Sequence, residues 1–138
     1  MEKVTIYTHG DSNGDPGPAA IALQIVDSKG KVLKEVSEVI GNAFHEYAEY
    51  FAVVRGLQVA IEHFGDKTKK FDFELRVSGE LVKKQLNGEE TITHPALVPQ
   101  FIEIYNMKVL HFPNIDVVYE KEGSGEAVRT LVEEKLDV

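Results

Sequence analysis

Apolar and polar residues alternate from the start of the chain. Val4, Ile6 and Thr8 fall on one side of the pattern and Thr5, Tyr7 and His9 on the other, a period of two that predicts a β-strand. Gly14, Pro16, Gly17 and Pro18 then interrupt any regular element. Each Pro presets φ and the Gly permits angles other residues avoid, so Asp15-Pro16-Gly17-Pro18 should form a rigid, exposed loop. Read by itself, this stretch is a rigid turn before a second strand or a loop that carries a site at a strand's end. The alternation resumes from Ala19 to Asp27, with Ile21, Leu23 and Ile25 on one side. Ser28-Lys29-Gly30 reads as a turn, and Val32 to Ile40 as a third strand ended by Gly41-Asn42. Connections this short join the three strands as an antiparallel meander.

The period changes at about His45. Tyr47, Tyr50, Phe51, Val54, Leu57, Ile61 and Phe64 recur at three-and-four spacing, widened by Val53 and Ala60. This predicts a central helix from His45 to Phe64 packed on the sheet. Gly56 inside it costs roughly 1 kcal/mol relative to Ala, which a close approach to another backbone would justify. After a polar loop at Gly65 to Lys70, Phe71, Phe73, Leu75 and Val77 mark a fourth strand. Ser78 is a candidate cap for a short helix from Gly79 to Asn87, closed by Gly88. Thr93 and Pro95 open another helix that runs to about Lys108, with Leu97, Phe101, Ile104 and Tyr105 as its stripe. Ile115, Val117 and Tyr119 give a fifth strand. Ser124 can cap a last helix that buries Ala127, Val128, Leu131, Val132 and Leu136. The order β-β-β-α-β-α-α-β-α predicts a mixed α/β sheet of five strands, three antiparallel and then crossovers, with helices on both faces.

The 138 residues fit a single domain, 1–138, with one proper core. There is no cysteine, which excludes disulfides and thiolate metal sites. No apolar run approaches the roughly 18 residues of a membrane span, and the first strand begins at once, leaving no room for a signal peptide. A cytoplasmic protein with no membrane partner is expected. The net charge of −8 opposes a generic nucleic-acid binder, though Lys67, Lys69 and Lys70, and the pair Lys83-Lys84, form local basic clusters. Such clusters are also ordinary solvated surface.

Three stretches resemble type 1 ribonuclease H domains. His9-Gly10, with Gly14-Asp15-Pro16-Gly17-Pro18, is similar to the family's Asp-Gly strand end and Gly-Asn-Pro-Gly-Pro turn. Ala48-Glu49-Tyr50 through Gly56-Leu57 is similar to its Ala-Glu-Tyr helix start, and Glu80-Leu81-Val82 through Gln85-Leu86-Asn87-Gly88 to its Leu-Val-x-x-Gln-Leu-x-Gly segment. The resemblance covers nearly the whole chain and implies the ribonuclease H fold. It also implies cleavage of the RNA strand of RNA–DNA hybrids by four carboxylates holding two Mg²⁺ or Mn²⁺ ions. Hard cations of this kind prefer oxygen ligands, and a pair about 3.5–4 Å apart activates water and stabilises the leaving oxygen.

Carried over residue by residue, the resemblance leaves one carboxylate of the four. The first Asp falls on His9, the Glu on Glu49, the second Asp on Ser78 and the last Asp on Val128. The family's substrate contacts fall on Gly14, Asp15 and Gly17 in the turn and on His45 and Glu46 in place of Asn-Asn. Asp15 and Glu46 thus bring negative charge where phosphates would lie.

Three readings follow. One is a catalytically impaired relative that acts as a nucleic-acid-binding or interaction module. A second is an active ribonuclease H with a rearranged site, using Glu49 with Asp11, or a shifted Mg²⁺ site of Asp11, Glu49 and Glu80. The third is a metal- or protein-binding domain, since His9, Asp11, His45 and Glu49 include donors that suit Zn²⁺. His9 and Asp11 lie two apart at a strand end and His45 and Glu49 four apart on a helix.

Overall fold

A computed structural model describes residues 1–119 and 125–136. The sheet is built from β1 (Lys3–Ser12), β2 (Gly17–Val26), β3 (Val32–Ala43), β4 (Asp72–Val77) and β5 (Ile115–Tyr119) in the spatial order β3-β2-β1-β4-β5. β1, β2 and β3 pair antiparallel, while β1–β4 and β4–β5 are parallel. The meander therefore forms one half of the sheet, and crossovers place the two later strands beside β1. This is the expected five-stranded mixed sheet.

Helix α1 (His45–Phe64) packs on one face. Its residues Tyr50, Val53 and Leu57 join Ile6, Leu23, Leu75 and Val77 in the main core, which α2 (Glu80–Leu86) and α3 (Val98–His111) extend. The alternation of β1 explains the sides: Ile6 and Thr8 meet α1, whereas Tyr7 meets α4 (Glu126–Leu136) on the other face. There Val128 and Val132 are buried against Ala20 and Ala22, while Ala127 is exposed. Tyr50 Oη donates to Gln85 Oε1 at 2.7 Å, which satisfies two buried polar groups and ties α1 to α2.

Several local expectations need correction. β3 continues through Gly41-Asn42 to Ala43, because its ladder to β2 absorbs a bulge beside Ala19 and Ala20 and Gly41 takes a φ of +83° there. β1 likewise runs past His9 to Ser12. The polar loop after α1 is a 3-10 turn, Gly65–Lys70. Pro95–Leu97 is a 3-10 turn too, and His94 rather than Thr93 caps it, its Nδ1 accepting from the Ala96 N–H at 3.2 Å. The N-cap of α2 is Gly79, not Ser78. Gly56 approaches side chains rather than another backbone: a Cβ there would stand 3.1 Å from Thr8 Cγ2 and 3.2 Å from Ile6 Cγ2. Ser124 lies outside the described residues.

Candidate functional site at the ends of β1 and β4

Parallel pairing of β1 with β4 sets Tyr7 beside Arg76, and two residues further along come His9 on β1 and Ser78 just past the end of β4. Their side chains meet, His9 Nδ1 lying 2.6 Å from Ser78 Oγ. Ser78 is thus spent on β1, which is why it does not cap α2. His9 is buried. Burial, with the nearby positive charge of Arg129, lowers its pKa to about 4, against a smaller opposing effect of Asp11. At neutral pH the pair is an uncharged hydrogen-bonded couple.

On the α1 side the arrangement is ionic. His45 and Glu49 occupy successive turns of one helical face. His45 Nε2 lies 3.0 Å from Glu49 Oε1, and its Nδ1 lies 2.8 Å from Asp11 Oδ1. Both ring nitrogens donate, so the ring is an imidazolium. The hydrogen bond that His45 donates to Glu49, aided by the charge of Glu49 and by Asp11, outweighs partial burial and raises the His45 pKa to about 9. Asp11 Oδ1 also accepts the Ser12 N–H at 2.8 Å.

Two glycines let these parts close together. A Cβ at Gly10 would overlap the Ala48 carbonyl, so β1 touches the α1 backbone only because residue 10 has no side chain. A Cβ at Gly79 would overlap the Glu49 carboxylate, which is buried against that turn. Neither is a candidate from side-chain chemistry, although Gly inside a strand, as at position 10, is a signal of close approach.

The turn docks on the same corner. Asn13 N–H donates to the Pro18 carbonyl at 2.8 Å, and the Asp15–Pro16 peptide is cis. Asp15 Oδ1 accepts the His45 N–H at 2.9 Å. Phe44, the N-cap of α1, supplies no side-chain cap, so Asp15 places its carboxylate where the helix N-terminus favours an anion. Glu46 sits in the first turn, half-buried.

The remaining candidates lie elsewhere. Val128 is a core residue of the α4 face, and the α4 side chain that acts on His9 is its neighbour Arg129. Glu80 pairs with Lys84 at 3.3 Å and Lys83 with Glu89 at 3.1 Å, so the Lys83-Lys84 pair is already balanced. Among the described residues no three His, Asp or Glu side chains converge as a metal-binding group. Asp11, Glu49 and Glu80 are therefore not gathered into a shifted Mg²⁺ site. Zn²⁺ at His9 and His45 would have to displace a proton by which His45 bridges Asp11 and Glu49. Nor do these residues fit a pair of Mg²⁺ ions. Beside Asp11 and Glu49 stand the imidazole of His9 and the hydroxyl of Ser78, with the charge of Arg129 near His9, and hard cations need oxygen ligands. No helix among the described residues is long and apolar enough to cross a membrane.

The strand order, and a polar site at the carboxyl ends of adjacent parallel strands, define a ribonuclease H-like domain. Comparison with known proteins agrees. Residues 8–134 match the model of the reverse transcriptase-like family. "Ribonuclease HI" of Halobacterium salinarum is 30% identical over 135 residues, 98% of this chain and 65% of the relative. "Bifunctional protein Rv2228c" of Mycobacterium tuberculosis is 29% identical over 102 residues, 73% of this chain and 27% of its own length. The chain thus spans less than two thirds of either curated relative. LC11-RNase H1, solved in complex with an RNA/DNA hybrid, superposes with a TM-score of 0.91 at 35% identity, covering 97% of this chain and 96% of that one. The chain belongs to the reverse transcriptase-like family of the ribonuclease H-like superfamily.

Proposed function

We propose that this domain binds RNA–DNA hybrids, or nucleic acid of similar shape, without cleaving them by the metal-dependent route of its family. The observation that carries this reading is the bridge of His45 between Asp11 and Glu49, at 2.8 and 3.0 Å. Carboxylates brought together need a cation between them. Here a side chain of the protein supplies it, and the two groups best suited to ligate Mg²⁺ or Mn²⁺ are neutralised from within. The His9–Ser78 couple removes the need for a second cation. The family's last Asp is assigned in this reading to Arg129, not Val128, since Arg129 is the α4 residue whose charge reaches His9. The hybrid as ligand is supported by the complex of LC11-RNase H1.

Binding is expected to be weak and salt-sensitive. The chain carries a net charge of −8, the charge of His45 is already taken up by Asp11 and Glu49, and Arg129 beside His9 is the cation this reading offers to phosphates. Fluorescence anisotropy with a labelled RNA–DNA hybrid, at low and physiological salt and with EDTA or Mg²⁺, tests this. The reading expects an affinity that falls as salt rises and is unchanged by Mg²⁺. Absence of binding at low salt leaves an interaction module for protein. Binding that requires Mg²⁺ favours the alternative of a working, rearranged nuclease.

A further inference from the structure

Helix α3 is apolar on both sides. Its inner face, with Leu97 and Ile104 buried and Phe101 and Met107 partly so, belongs to the core. Its outer face carries Val98, Ile102, Tyr105, Val109 and Leu110, which are 43%, 51%, 58%, 63% and 63% exposed. A helix that is hydrophobic all round is ordinarily buried all round. Scattered surface apolar residues need no explanation, but a contiguous patch does.

We propose that this outer face of α3 is the interface of a homodimer, in which two copies pair their α3 helices antiparallel. The first support is self-complementarity. Val98, Ile102, Tyr105 and Val109 follow four-three-four spacing, the seam of a helix pair. In an antiparallel pair with the two-fold axis near the middle of the helix, Val98 faces the partner's Val109 and Ile102 faces the partner's Tyr105. Every seam residue thus meets an apolar mate from an identical helix, as an isologous contact requires.

The second support is charge. The residues flanking the seam are Pro99, Phe101, Asn106 and Lys108, with no carboxylate among them in a chain of net charge −8. Glu103 lies further round, where Gln58 Nε2 donates to its Oε1 at 3.2 Å. Two acidic copies repel least along such a strip, and Lys108 can stand over the partner's Phe101. A membrane surface fits less well, because anionic lipid repels a chain of this charge and the strip offers one cation.

Area sets the strength. The exposed parts of the five side chains amount to roughly 400–500 Å² per copy, so two copies cover at most about 800–1,000 Å², at the edge of the lower bound for a specific interface and the size of a weak dimer. A dimer that fills with rising concentration is the result to expect.

The test is sedimentation velocity of the full chain from about 5 to about 500 µM. The wild-type mass should rise from 15.4 kDa toward twice that value. Ile102→Glu and Val109→Glu, both at exposed positions, should keep the wild-type circular dichroism and stay at 15.4 kDa. The chain has no cysteine of its own, so crosslinking tests the register. The double variant Val98→Cys/Val109→Cys should oxidise to a covalent dimer. Val109→Cys alone should not, its copies lying about 16 Å apart along the antiparallel pair. A wild-type mass of 15.4 kDa throughout, or Glu variants that associate like the wild type, overturns the dimer. Ready crosslinking of the single variant overturns the antiparallel arrangement.

Discussion

His9 Nδ1 and Ser78 Oγ stand 2.6 Å apart at the ends of two parallel strands, each the other's partner. The contact is buried on the His9 side. Removing the hydroxyl leaves a buried ring nitrogen with one partner fewer. Ser78→Ala should therefore destabilise the fold by about 1–2 kcal/mol, measured by urea denaturation. A loss under about 0.3 kcal/mol would show that the pair contributes little.

The two site histidines should titrate far apart. His45, raised to about 9, is protonated at neutral pH, and His9, lowered to about 4, is neutral. The signs for stability are opposite. The His45 contribution is complete below its unfolded pKa of about 6.5 and is lost as pH rises toward 9. The His9 contribution is complete above about 6.5 and is lost as pH falls toward 4. Imidazole NMR titration reads both midpoints, and Glu49→Gln should bring that of His45 down while leaving His9 near its own. Two midpoints close to 6.5 would contradict the geometry.

Gly79 should not tolerate a side chain. A methyl group there overlaps the Glu49 carboxylate, so Gly79→Ala must push Glu49 away from His45 or shift the start of α2. A loss of about 1–3 kcal/mol is expected, together with a lower His45 midpoint. Gly79→Ala with wild-type stability and titration would mean that the turn is looser than described.

Restoring carboxylates separates the two assignments on α4. In the background His9→Asp/Ser78→Asp/His45→Asn, adding Arg129→Asp should create Mg²⁺ binding detectable by calorimetry. Adding Val128→Asp instead buries an unpaired charge against Ala20 and Ala22, and the protein should lose most of its stability. Mg²⁺ uptake by the Val128→Asp variant with the fold intact would return the assignment to position 128.

Much of the fold is legible in the alternating and helical periods. β1, β2 and α1 follow them closely, because each buries one face and the period records which face that is. β3 is less legible at its end. Gly41-Asn42 carries a turn's composition, yet a bulge lets the ladder continue. At the site, the pairing of His45 with Glu49 can be read from helical spacing, whereas its reach to Asp11 depends on how β1 meets α1 through Gly10. The His9–Ser78 contact joins residues 69 apart in sequence and needs the parallel register of β1 and β4. Val128 and Arg129 show the limit most clearly. Adjacent residues on a helix point about 100° apart, so a one-residue difference in register separates the core from the site.

The most direct measurement is cleavage of a labelled RNA–DNA hybrid by pure protein, with Mg²⁺ and with Mn²⁺, beside a Glu49→Gln control. The account predicts that the hybrid stays intact with either metal and that the control behaves identically. Metal-dependent cleavage by the wild type that disappears in Glu49→Gln would contradict it, and would establish an active nuclease built on an unusual ligand set.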